Sequence, residues 1–283
     1  MNETKRTTMR LRIARSKWDF EDLPLDRFLE TITAAGFDAS DIHLPSLRES
    51  PEETRALHAR HRIPLVAMIT SEGRTPEEHC ASLAARFALA ARCAPVHINC
   101  HTGKDTFSTE ENLAVFREAL GLSRRYGLSV SHETHRGRAT YSATATRELL
   151  RRMPELRLTA DFSHWCCVHE SLLADQPEAV SLAIERSDYI HARVGHAQGP
   201  QVSDPRAPEW SAEVEAHLGW WRRIAGAQRA AGREELFVCP EFGPAPYMSL
   251  LPRSGTPVAD LWEITLYMKD LLKKTLEEDA HAG

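Results

Sequence analysis

Leu128–His164 reads LSVSHETHRGRATYSATATRELLRRMPELRLTADFSH. Two short strand-like runs, LSVSHET and LRLTADF, each carry a carboxylate at the end, Glu133 and Asp161. Between them, residues 142–152 read as a helix long enough to reconnect parallel strands. Histidines flank both acids: His132 and His135 beside Glu133, and His164 three residues after Asp161. Acids and imidazoles at the ends of successive strands are what a divalent-metal site requires, so the question becomes whether the flanking chain repeats the unit.

It does so in both directions. Downstream, DYIHARV (residues 188–194) and LFVCPE (236–241) read as strands, with helices over 177–186, 213–231 and 258–272. Upstream lie strand candidates at 95–101 (PVHINCH), 64–70 (PLVAMIT), 40–44 (stopped by Pro45) and 9–14. Helical apolar spacing covers 25–35, 50–61, 76–91 and 109–126, with Thr75 and the Ser108-Thr-Glu-Glu111 box as caps. Eight strand-then-helix units in 283 residues predict an α/β protein, a single (β/α)8 TIM barrel spanning 1–283. An open doubly wound sheet would show a Gly-rich turn after its first strand, where this chain has ARSKWDF.

The charge balance is mildly acidic, −5 overall with interspersed signs, which argues against a nucleic-acid partner held by bulk electrostatics. No run approaches the roughly 18 apolar residues of a membrane span, and MNETKRTTMRLR lacks the apolar core of a signal peptide. Six cysteines without C-x-x-C spacing read as reduced thiols, and a cytoplasmic location is expected.

Residues two apart on a strand share a face. By that parity His97, Asn99 and His101 group on the fourth strand, and Ser131, Glu133 and His135 on the fifth. Thr159 and Asp161 pair on the sixth, His191 and Arg193 on the seventh, and Cys239 and Glu241 on the eighth. Barrel interiors are normally filled by bulky apolar residues, and active sites occupy the C-terminal mouth. Glu133, Asp161, His191 and Glu241 are therefore expected to converge as ligands of one divalent ion. Three carboxylates and an imidazole suit Mn2+, Mg2+ or Co2+, with Zn2+ also compatible. Without a cation, burying three carboxylates together is costly.

The remaining candidates have plainer readings. His97 is balanced between a ligand and a hydrogen-bonded filler of the barrel. His169 reads as surface or structural, and His58, His61, His79, His217 and His281 as solvated. Trp18, Trp165 and the Cys166–Cys167 pair read as packing.

Glu133, the Asp161-x-x-His164 pattern, His191 and Glu241 together resemble the xylose isomerase-like TIM-barrel superfamily, as does the segment from Gly36-Phe-Asp38 to Leu44. That superfamily includes sugar isomerases and epimerases, inosose and 3-dehydroshikimate dehydratases, and the endonuclease IV branch. The resemblance spans nearly the whole chain. It implies a metal-dependent isomerase or epimerase acting on a ketose or aldose through an enediolate, with Glu133 and Glu241 as both ligands and proton carriers. It further implies His164 as a catalytic and substrate-facing residue, and His101, His135 and Arg193 as substrate-binding residues, with Arg206 an alternative to Arg193. Homo-oligomers are common in such families.

The same intermediate allows a second outcome, loss of a β-hydroxyl from a cyclic keto-polyol such as inosose or 3-dehydroshikimate, helped by a general acid at His135 or His101. A third reading is an endonuclease IV-like phosphodiesterase. His101-Thr-Gly103 resembles that branch, but Met68 stands where it has a histidine, and Asp204-Pro-Arg206 where it has aspartate-x-histidine. A sugar-binding barrel without turnover is the fourth.

Overall fold

The computed structural model describes residues 9–278; the chain before Met9, and His281, lie outside the described residues. Helices begin where the sequence supplies an oxygen for their free N–H groups. Ser50 accepts from Glu53 at α2 (Pro51–His61), and Thr75 accepts from Glu78 at α3 (Pro76–Cys93). Ser108 and Glu111 form the reciprocal capping box of α4 (Thr109–Tyr126). Gly127, with φ 65°, ends α4 in the left-handed conformation that a β-carbon would penalise.

The strands are β1 (Arg10–Ser16), β2 (Ala39–His43), β3 (Leu65–Thr70), β4 (His97–His101), β5 (Val130–Glu133), β6 (Leu158–Ala160), β7 (Ser187–His191) and β8 (Glu235–Cys239). Each pairs in parallel with the next, and β8 pairs with β1, closing an eight-stranded barrel. The connecting helices α1 (Leu25–Ala34), α5 (Ala143–Arg152), α7 (Pro177–Arg186), α8 (Ser211–Ala230) and α9 (Leu261–Glu278) join α2–α4 around it. The main apolar core fills the layer between strands and helices, with Phe28, Phe87, Phe116 and Trp221 fully covered.

The barrel interior has a different composition. Ala14, Ala39, Val66, Tyr189 and Cys239 form a small separate cluster. Beside them runs a hydrogen-bonded ladder: His97 Nε2 meets Ser131 Oγ at 2.6 Å, and Ser131 Oγ meets Thr159 Oγ1 at 2.6 Å. His97 is thus a hydrogen-bonded filler, and burial pushes its imidazole down to about 4. Small side chains at this level leave room for polar groups to reach across the barrel, which a floor of leucines would not.

Three expectations are corrected. His58, His79 and His217 are buried rather than solvated. They lie on the barrel side of their helices, each satisfied at both nitrogens: His58 by Thr54 O and Ser40, His79 by Ser71 and Gly73 O, and His217 by Glu213 O and the Gly195 N–H. A helix absent from the sequence reading, α6 (Phe162–His169), follows β6 directly. The last helix begins at Leu261, because Leu250 and Pro257 bridge the preceding loop and Asp260 caps Glu263.

Candidate active site

Glu133, Asp161, His191 and Glu241 come together at the C-terminal mouth of the barrel. One ligand atom from each lies within 4.8 Å of all the others, and all four residues are buried. Strand parity explains the convergence: β5 ends on Glu133, β7 ends on His191, and Asp161 and Glu241 follow just beyond β6 and β8.

His191 Nδ1 faces Oε2 of Glu241 at 3.0 Å and Oε2 of Glu133 at 3.4 Å, yet it is a buried atom with no hydrogen-bond partner. Arg193, also buried, ion-pairs with Asp161 through Nη2 and lies 3.3 Å from Glu241 through Nη1. Three ionised carboxylates against one guanidinium leave two negative charges when His191 is neutral. A divalent cation cancels that excess, and the unpartnered Nδ1 is where an imidazole would ligate it. The residues present therefore fit such an ion.

The electrostatics agree. Burial and the neighbouring Glu133 and Glu241 raise Asp161 to about 6, against the pull of Arg193. Burial would lower His191, but Glu241 and Glu133 hold it well above its ordinary value. Burial would raise Glu133, yet His101 and His191 keep it well below the usual carboxylate range. Its Oε2 lies 2.8 Å from His101 Nε2 and accepts from Asn99 Nδ2 at 2.6 Å.

A cavity of about 260 Å³ opens above this cluster. Glu133, Glu241, His101, His135 and Arg193 line it, with Trp18 and Tyr247 as aromatic walls. Trp18, read from sequence as packing, is thus a cavity residue. Its ring packs edge-on to Tyr247 at 4.9 Å and against Gly243, where a β-carbon would come within 2.2 Å of it. Trp165 does pack, stacked on Phe162 at 4.8 Å, and Cys166 is buried beside it.

Two candidates are placed otherwise than as open contacts. His164 is fully buried behind the wall, its ring 3.9 Å from that of His135 and its Nε2 2.8 Å from Arg193 Nη2. Arg206 is tied to Asp204 and does not line the cavity. His101, Glu133 and His135 form a second group of converging donors.

Asp41 was missed. It stands inside β2, buried on the cavity wall, and accepts from Tyr189 Oη at 2.5 Å. Its Oδ2 also lies 3.2 Å from His191 Nε2. The available signal was a carboxylate within an otherwise strand-like run, sharing a face with His43.

No protein-family model and no curated protein sequence matches the chain. Solved structures do. A xylose isomerase-like TIM barrel protein from Mycobacterium smegmatis, in complex with magnesium, aligns over 94% of this chain and 97% of its own at 13% identity, TM-score 0.64. D-allulose 3-epimerase from Methylomonas sp., in complex with D-allulose, aligns over 94% and 98% at 10% identity, TM-score 0.61. The probable 3-DHS dehydratase AsbF of Bacillus anthracis, involved in petrobactin synthesis, aligns over 93% and 98% at 15% identity, TM-score 0.59. The chain shares the (β/α)8 TIM-barrel fold of these proteins. At these identities the likeness is one of fold. Among the described residues, no helix is long and apolar enough to cross a membrane.

Proposed function

We propose that this protein is a divalent-metal-dependent sugar isomerase or epimerase acting through an enediolate. The observation that carries the reading is the placement of Glu133 and Glu241. They come from non-adjacent strands, Glu133 at the end of β5 and Glu241 just beyond β8, both line the cavity, and both have a carboxylate oxygen against His191 Nδ1. A bound Mn2+, Mg2+, Co2+ or Zn2+ would be held by Glu133, Asp161, His191 and Glu241, and would supply Lewis-acid polarisation of a carbonyl beside a hydroxyl.

The chain's own residues do the rest. Glu133 is ionised at neutral pH, held so by His101 and His191 against burial, and is ready to take the proton α to a carbonyl. Glu241, once it has taken up a proton from solvent, returns it to the intermediate, and Glu133 releases the proton it took back to solvent. Delivery to the opposite face of the same carbon is epimerisation, and delivery to the neighbouring carbon is isomerisation. Arg193 neutralises developing oxyanion charge, and His164 steadies its guanidinium from behind. His101 and His135 face the cavity as hydrogen-bonding groups for substrate hydroxyls. The occupant is a small sugar or keto-polyol, and no nucleic acid is required.

The dehydratase reading needs a protonated general acid beside the leaving hydroxyl. Burial, and then the nearby His101, hold His135 well below its ordinary value, so at neutral pH it lacks the extra proton. That removes His135 from the general-acid role and leaves His101, 2.8 Å from Glu133 Oε2, as the residue the dehydratase reading needs. Proton NMR in D2O tests the choice: deuterium entering α to a carbonyl supports the proposal, and vinyl signals would replace it with dehydration.

A further inference from the structure

A histidine ligates through the nitrogen that carries no proton, so whatever fixes the proton on its other nitrogen decides whether it can bind a metal at all. At His191 the two nitrogens have distinct surroundings. Nδ1 points among Glu133 and Glu241, and Nε2 points across the barrel at Asp41.

We propose that Asp41 is the positioning residue of the metal-ligating imidazole: it holds the Nε2 proton of His191, so that Nδ1 is presented bare to the ion. The proposal rests on the metal-dependent reading above and assigns a role to a residue that is not itself among the four ligands.

Several observations carry it. Asp41 and His191 belong to β2 and β7, 150 residues apart in sequence, and meet across the barrel interior, where the small cluster of Ala14, Ala39 and Val66 leaves room for them. Oδ2 of Asp41 is fixed by the Tyr189 hydroxyl at 2.5 Å, and Tyr189 is two residues before His191 on the same strand and face. An ionised carboxylate has only lone pairs to offer, so its partner nitrogen must donate.

One group competes. Asn99 Nδ2 lies 3.4 Å from the same His191 nitrogen, and donation from it would force the proton onto Nδ1 and block ligation. Asn99 Nδ2 makes its short hydrogen bond to Glu133 at 2.6 Å, and of the two contacts at Nε2 the Asp41 one, at 3.2 Å, is the shorter, so it sets the ring. Carboxylate–histidine–metal arrangements of this kind raise ligand basicity and fix the tautomer. An asparagine at position 41 could turn its NH2 toward Nε2 and invert the arrangement without changing shape.

The test uses the full chain and Mn2+ alone, titrated by electron paramagnetic resonance, for wild type, Asp41→Asn, Tyr189→Phe and His191→Ala, with folding followed by circular dichroism. Asp41→Asn is expected to weaken Mn2+ binding by about 10–100-fold at unchanged stoichiometry. Tyr189→Phe, which leaves Asp41 in place, is expected to weaken it less. A readout independent of packing is the 15N spectrum of the Zn2+-loaded wild type, in which His191 should carry its proton on Nε2. Affinity of Asp41→Asn within about threefold of wild type, well short of the loss such partners cause, would overturn the proposal. So would a proton on Nδ1 in the loaded wild type, and that spectrum decides the matter even if Asp41→Asn does not fold. If His191→Ala loses the ion while Asp41→Asn keeps it, only this inference fails. A wild type that takes up no Mn2+ or Zn2+ overturns both this inference and the metal-dependent function.

Discussion

His191 Nδ1 lies 3.0 Å from Oε2 of Glu241, two side chains delivered by neighbouring strands of a closed barrel. Neither atom alone marks a metal centre. Together with Glu133 and Asp161 they gather more negative charge than Arg193 can balance.

Glu241→Ala removes both a donor of this cluster and one of the two proton carriers. Turnover should fall at least by the roughly 10²–10⁴-fold that positioned proton transfer contributes. Metal content after purification should drop from close to one ion per chain, with the circular dichroism spectrum unchanged. Retained activity would remove Glu241 from the account.

The pH dependence of stability has a definite sign. Burial, against Arg193, raises Asp161 to about 6, and Glu241 and Glu133 raise His191 well above its ordinary value despite burial. A group whose folded value lies above its unfolded value stabilises fully at low pH and loses that contribution as pH rises through the folded value. Both groups act in the same direction, but His43, His97, His132 and His217, which burial holds at about 3–4, act the other way below their ordinary value. The melting temperature of metal-free protein should therefore fall only above about pH 6.5, where His191 alone still loses its proton. A divalent ion competes with these protons. The rise in melting temperature on adding Mn2+ should therefore be larger at pH 8 than at pH 6, and differential scanning fluorimetry with and without a chelator reads both trends.

His101→Gln takes away the imidazole that, after burial has pushed Glu133 up, does most to bring it down. The acidic limb of the kcat/KM profile should move to higher pH, while Mn2+ stoichiometry stays unchanged because His101 is not among the four ligands. An unmoved limb would mean that Glu133 is not the titrating base.

Ser131→Ala probes the barrel floor rather than the site. It strips His97 and Thr159 of a shared partner, leaving buried polar atoms unsatisfied at a cost of about 1–3 kcal/mol. Thermal unfolding should show a drop of a few degrees, with Mn2+ affinity unaltered.

How much of this was legible in the sequence follows from which contacts are local. Glu133, Asp161, His191 and Glu241 could be read because each closes a strand-like run, and strand ends gather at one mouth once the barrel is recognised. Asp41 offered only a faint signal, a lone acid in a strand-like run, since its significance lies in a contact with His191 across the barrel and β2 carries no second acid to draw attention to it. Helix α6 escaped for a different reason. Asp161 is both the end of a strand run and the N-cap accepting from Ser163, so strand and helix abut with no turn residues between them. His58, His79 and His217 misled because apolar spacing cannot tell which face of a mixed helix turns inward when the buried polar group is satisfied by a hydroxyl or a carbonyl. Trp18 takes its place at the cavity against Gly243 and Tyr247, more than two hundred residues away.

The central claim is metal-assisted removal of a proton α to a carbonyl, and solvent deuterium uptake measures it most directly. The Mn2+-loaded protein should be incubated in D2O with a panel of ketoses, aldoses and cyclic keto-polyols and followed by proton NMR. The account predicts deuterium at the α carbon of at least one sugar, abolished by chelation and by Glu241→Ala. Conversion of a panel member with no solvent deuterium in the product, or exchange that survives chelation, would contradict it.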